Sequence, residues 1–210
     1  MNLNAVILTK SYKNGGYCVA GINLDTHSWV RFISSDVATH GAITDSDMQY
    51  DTLGFCEPFD IVRVPVLQHC PSTLQPENYL IDRSKYWQKL GTMAVDELLE
   101  IYPFDTDAFI FTNNWSYLTP DNTIGITHSL VMVRVFDLQI NHNYLGSPAY
   151  KKCSFFYRNN QYNFMSITDP EYRNSEPTQL IGDAILIISI PESPDSNNRI
   201  YKCVSKIIPI

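Results

Sequence analysis

Residues 16–34, GYCVAGINLDTHSWVRFIS, constrain the fold more than any other stretch. Two runs rich in β-branched and aromatic residues, 17–22 and 29–33, flank a polar loop at 23–28, which is the pattern of a β-hairpin. Gly15 and Gly16 open it. Gly21 sits inside the first strand, where a glycine marks a bulge or the close approach of another backbone. Side chains alternate faces along a strand, so Trp29, Arg31 and Ile33 share one face and Val30 and Phe32 the other. An arginine beside a tryptophan on a sheet face either clamps a phosphate, a carboxylate or a base, or lies across the ring as a surface side chain.

The rest of the chain repeats this theme. Strand-length apolar runs stand at 3–9, 59–67, 108–112, 129–140, 152–157, 162–167, 184–190 and 199–208. Turn-rich segments separate them, including 36–54, 113–127, a break at 141–149 and a loop at 191–198. Residues 158–161 read as a turn whose Asn159-Asn160 pair tolerates positive φ. Only 82–91 and 94–102 carry helical spacing, with Thr92 in the cap region of the second. Scarce helix and many short strands predict an all-β protein built from small barrels or sandwiches.

Composition narrows the function classes. The 210 residues carry 15 Lys+Arg against 22 Asp+Glu, a net charge of −7. That argues against a nucleic-acid binder that is basic over its whole surface, but not against a local basic groove. The charge is uneven, −3 over 1–70, −5 over 71–126 and +1 over 127–210, so an anion is repelled least by the C-terminal part. Five irregularly spaced cysteines without a C-x-x-C suit reduced thiols, and hence a cytoplasmic protein. No segment reads as a signal peptide, and no run approaches the ~18 apolar residues of a membrane helix, so no membrane partner is expected.

No catalytic motif stands out. Lys10 and Lys13 flank a glycine-closed loop that lacks the P-loop pattern, so it is either an anion contact or a solvated turn. The five histidines are scattered without metal-ligand spacing, no G-x-S-x-G occurs, and Cys18 reads as strand packing. The carboxylate pairs Glu77/Asp82 and Asp169/Glu171 have no placed partner. The balance is against an enzyme, and no catalytic residue, metal or cofactor is assigned.

Three phrases taken together resemble a bacterial family described as dual OB-fold domain proteins. They are residues 15–21 with Trp29-Val30-Arg31, then 75–79 (QPENY), then Phe156-Tyr157, Tyr162 and Thr168-Asp169-Pro170 with the closing Tyr201-Lys202. Phe32 stands where that family commonly has proline. The resemblance implies two tandem OB-like barrels, the first over 1–140 with a helical insert at about 82–102, the second over 141–210. It also implies a prokaryotic setting near phage-defence or mobile-element genes.

The expected activity is that of a non-catalytic binding module for nucleic acid, single-stranded favoured, or for a nucleotide-like ligand. Its candidate contacts are Lys10, Lys13, Tyr17, Trp29, Arg31, Glu77 and Asn78 in the first barrel, with Tyr12 nearby. In the second they are Lys151, Lys152, Tyr157, Arg158, Tyr162, Thr168, Asp169 and Lys202. The competing reading is a protein-interaction subunit of a larger assembly, marked by an exposed apolar patch in place of a basic groove.

Overall fold

The computed structural model describes residues 1–13, 15–141, 151–173 and 179–210. The chain divides into two compact units. One comprises Met1–Ser72 and Pro76–Pro103, the other Thr73–Gln75 and Phe104–Ile210. The sequence boundary at 140 is therefore displaced. The long strand at 130–141 pairs along its length with a strand beginning at Gln179, which draws it into the second unit. The break expected at 141–149 lies, from 142 onward, outside the described residues.

The first unit contains β1 (Asn2–Lys13), β2 (Gly16–Asn23), β3 (Trp29–Ile33), β4 (Asp60–His69), β5 (Asn78–Ile81), β6 (Gln88–Thr92) and α1 (Val95–Ile101). β1 is long enough to serve two neighbours. Asn2 to Val6 pair with β4, and Ala5 to Lys13 pair with β2 through a bulge between Ile7 and Thr9. Pairing then runs β2–β3, β3–β5 and β5–β4, so the sheet closes on itself as β1-β2-β3-β5-β4-β1, with β6 added to β4. Only β3–β5 is parallel within that circuit. Val19, Val30, Phe32, Val62 and Val64 point inward and pack with Ile7 and Trp87. Phe32 meets Trp87 edge-on at 5.4 Å. Gly21 is the close approach its position suggested. A Cβ there would lie 1.9 Å from the Val6 carbonyl oxygen on β1.

Two local readings change here. Residues 82–91 form no helix. Asp82 Oδ1 accepts the Ser84 N–H and turns the chain, and Gln88–Thr92 then pairs with β4. The second helical stretch is α1, but its cap is Ala94 and not Thr92, since the Glu97 carboxylate accepts the Ala94 N–H at 2.8 Å.

The second unit contains β7 (Tyr117–Leu118), β8 (Leu130–Asn141), β9 (Lys152–Tyr157), β10 (Asn160–Ile167), α2 (Pro170–Arg173), β11 (Gln179–Ser189), β12 (Ile200–Tyr201) and β13 (Cys203–Pro209). Five of these strands close a barrel as β8-β9-β10-β13-β11-β8, again with one parallel pair, β10–β13. The two units thus share one circuit, strand order 1-2-3-5-4-1, as the resemblance implies. The expected strand at 108–112 is instead an irregular segment held by tyrosine hydroxyls. Tyr157 Oη donates to the Asp107 carbonyl at 2.7 Å, and Tyr162 Oη accepts the Ile110 N–H at 2.9 Å. The β9–β10 turn is two residues, Arg158-Asn159, and its left-handed residue is Arg158, at φ 52°, not an asparagine of 159–160.

Candidate functional site

In a five-stranded barrel of this circuit the outer surface of the second and third strands, with its flanking loops, is where ligands are taken. The two barrels treat that surface differently.

In the first barrel it is covered. Val19, Val30 and Phe32 face the interior, and of the outward side chains of β2 and β3, Ala20, Ile22, Trp29 and Arg31 are buried while Cys18 and Ile33 at the ends are half-buried. Trp29 packs edge-on against Tyr102, one residue past α1, at 5.4 Å. Arg31 is 3% exposed, its Nε donating to Glu77 Oε1 at 3.2 Å and its backbone N–H to the Glu77 carbonyl at 2.9 Å. It is neither a surface side chain lying across Trp29 nor a clamp open to solvent. Glu77 and Asn78 are buried beside it. Lys10 is held between Glu57 (2.8 Å) and Asp45 (3.2 Å) and over the Tyr17 ring at 4.9 Å. Burial pulls its pKa down, but the two carboxylates outweigh that and raise it. Half-buried Lys13 closes β1 opposite Gly16, and Tyr12 beside it is exposed.

In the second barrel most of the expected contacts turn out to be framework. Tyr157 and Tyr162 belong to the core. Buried Lys151 donates to the Tyr172 carbonyl at 3.1 Å. Asp169 accepts the Ile207 N–H at 2.9 Å and pairs with Lys206 at 3.3 Å. Thr168 Oγ1 donates to the Val204 carbonyl at 3.3 Å. Lys202 is fully buried and donates to both oxygens of Asn113, at 2.6 and 2.8 Å, and burial pulls its pKa down to about 7. A strand that reads as alternating in sequence cannot show which side is walled by a loop, and that is why these polar side chains were read as accessible.

What reaches the surface is a set of rings. On β9 the inward residues are Cys153, Phe155 and Tyr157, so Phe156 points out, 39% exposed. On β8, Phe136 stands opposite it in the ladder, 42% exposed, and on β10 Phe164 is 53% exposed. Phe136 faces out by regular alternation with Val133 and Val135, whereas Phe164 is turned out by its own left-handed backbone. Asp137 (φ 51°) and Phe164 (φ 59°) sit at register shifts that break the alternation, so β8 faces inward with Val133 and Val135 and again with Leu138 and Ile140. Arg134 lies over Phe136 at 5.5 Å and pairs with Asp183 at 3.4 Å. Lys152 reaches Ser166 Oγ at 2.6 Å, and exposed Gln161 stands opposite Phe156. Arg158 closes the end of the β9–β10 hairpin, its guanidinium on the Thr106 carbonyl and over Tyr157 at 5.9 Å.

Of the residues named from sequence, only Lys152 and Arg158 therefore border this surface. The three phenylalanines and Arg134 were missed. One signal was present: Phe155-Phe156 are adjacent in a strand, so one of them must face outward. Chemically the surface offers aromatic faces and cations. Among the described residues no group of three His, Cys, Asp or Glu is placed to hold a metal ion. Burial pushes the Cys56 thiol up to about 12 and raises that of Cys153 as well, the reverse of what a thiolate nucleophile requires. No helix among the described residues is long and apolar enough to cross a membrane.

A family model described as a dual OB-containing domain matches residues 3–207. No curated protein and no solved structure matches the chain.

Proposed function

This chain belongs to the dual OB-containing domain family, and on that premise we propose that it is a binding module that takes single-stranded nucleic acid across the outer surface of its second barrel. The observation that carries the reading is the exposed trio Phe136, Phe156 and Phe164 on three adjacent strands, bordered by Arg134, Lys152 and Arg158. Every base has a π-face, and stacking on aromatic side chains is worth about 1–3 kcal/mol per base. The cations meet the backbone, and they lie in 127–210, the one of the three segments whose charge is not negative. The first barrel, with the corresponding surface covered and Arg31 paired, acts as a scaffold. An antiviral-defence setting is part of the same proposal, resting on the resemblance alone.

A second reading has its own observation. Leu180, paired with Gln139 beside the rings, is also exposed and makes the patch more apolar than a nucleic-acid groove requires. That favours a docking surface for a protein partner.

Fluorescence anisotropy with labelled single- and double-stranded DNA and RNA at two salt concentrations separates them. The proposal expects salt-sensitive binding to single strands that Phe156→Ser and Phe164→Ser each weaken roughly tenfold, with the melting curve unchanged. Absence of binding at low salt overturns it and leaves the docking surface.

A further inference from the structure

We propose that the outer face of the β7–β12 ribbon is a second, separate contact for one nucleotide of the same strand, with its base on Trp115 and its phosphate on Arg199. This rests on the single-strand reading above and extends it to residues that reading does not use.

The ribbon is two residues long on each side. Ile200 opposes Leu118 and Tyr201 opposes Tyr117. The first pair is buried and packs with Leu74 and Ile190. The second pair therefore faces out, and it does not stand alone. Trp115, 54% exposed, lies 5.8 Å from the Tyr117 ring, which in turn lies 6.0 Å from Tyr201. The exposed guanidinium of Arg199 sits over Tyr117 at 4.8 Å and hydrogen-bonds the Tyr201 side chain. Arg199 thus covers the face of Tyr117 and leaves Trp115 as the open platform, with ring and cation both resting on the same tyrosine.

The geometry is set from inside the barrel. Asn113 Oδ1 accepts the Trp115 N–H at 3.0 Å, and Asn113 Nδ2 donates to the Tyr117 carbonyl at 3.3 Å. Asn113 is itself gripped by the Lys202 ammonium and by Tyr162 Oη, which donates to its carbonyl at 3.2 Å. Lys202 N–H also donates to the Ser116 carbonyl at 3.0 Å. A platform already held in place loses little freedom when a ligand arrives. The surroundings limit the ligand's length. Glu192 and Asp195 precede Arg199 in the same loop, and Asp121 follows the ribbon's other strand, so a long polyanion is repelled where one phosphate is not.

Two of the three tryptophans, Trp29 and Trp87, are buried, so a change in intrinsic fluorescence on adding unlabelled oligo(dT) reads Trp115. The expected result is quenching in the wild type, tenfold or more loss of affinity in Trp115→Ala, and in Arg199→Gln a weaker affinity whose dependence on log salt is about one unit shallower. Oligo(dT) that binds by anisotropy but leaves the emission unchanged, with both variants binding like wild type, overturns this contact and leaves the barrel surface standing. Quenching by a neutral oligosaccharide and not by oligo(dT) overturns it in favour of a sugar ring. Failure of the wild type to bind any oligonucleotide defeats the parent reading, and this one with it.

Discussion

Removing the Glu77 carboxylate should unfold the first barrel long before it affects any ligand. Arg31 is 3% exposed and Glu77 7%, with the guanidinium Nε 3.2 Å from the carboxylate. Glu77→Ala removes the carboxylate that accepts from the buried guanidinium. Breaking one side of a buried pair costs about 3–5 kcal/mol, whereas replacing both sides with apolar residues of similar size is often neutral. For a unit of about 100 residues each kcal/mol shifts Tm by about 4–8 °C, so the first barrel should melt lower by on the order of 15–30 °C. Urea unfolding followed by tryptophan emission isolates that barrel, because Trp29 and Trp87 are its two buried tryptophans and Trp115 is exposed in the other. Arg31→Met/Glu77→Leu should recover most of the loss, and added salt should change little, since a buried pair is weakly screened. An unshifted transition in Glu77→Ala, or a double variant as unstable as the single one, would refute the idea that a broken ion pair is what matters at this site.

Three further outcomes follow from the packing. Gly21→Ala places a methyl 1.9 Å from the Val6 carbonyl, so β1 and β2 must separate. The cost is at least the 1–3 kcal/mol of an overpacked core, visible as a lowered urea midpoint. Lys202 sits near 7 in the fold against 10.5 unfolded, so the folded state binds fewer protons between those values and stability rises with pH there. From pH 7 to 9 the wild type should gain about 2 kcal/mol relative to Lys202→Met, and equal slopes in urea titrations of the two proteins would rule this out. Asp169→Ala leaves the buried Ile207 N–H without its acceptor while Lys206 keeps Glu171 at 2.9 Å, so the second barrel should lose about 1–3 kcal/mol by calorimetry.

Much of the barrel pair can be read from residues close in sequence. The hairpin at 16–34, the strand glycine at 21 and the closing strands of the second unit all announce themselves by alternation and turn formers. What stays hidden depends on distant partners or on backbone exceptions. Arg31 meets Glu77 across 46 residues, and no local pattern tells a buried arginine from a surface one. Residues 82–91 carry helical spacing, yet β5 reaches only the end of β4, and the start of β4 at 60–63 pairs with 88–92, so tertiary pairing overrides the weak local preference. The left-handed residues Asp137, Arg158 and Phe164 are not glycines, so nothing marked the register shift that turns Phe164 outward.

The same closed circuit, present twice, also bears on how such a chain divides its labour. A closed barrel leaves no open edges, so its interior can be apolar and fixed while its outer strands vary. On the first barrel, outward Ala20, Ile22 and Trp29 and the paired Arg31 make that surface part of the fold's interior. On the second, the equivalent strands present Phe156, Phe164 and Lys152 to solvent. If both barrels bound one strand each, stoichiometry would be two sites per chain. One covered surface and one open surface give a single site, which calorimetric titration with a short oligo(dT) should report as one equivalent. Two equivalents that fall to one in Trp115→Ala would assign the extra site to the β7–β12 ribbon, and two that persist in that variant would mean that the covered surface opens and that the Arg31–Glu77 pair is a gate and not a brace.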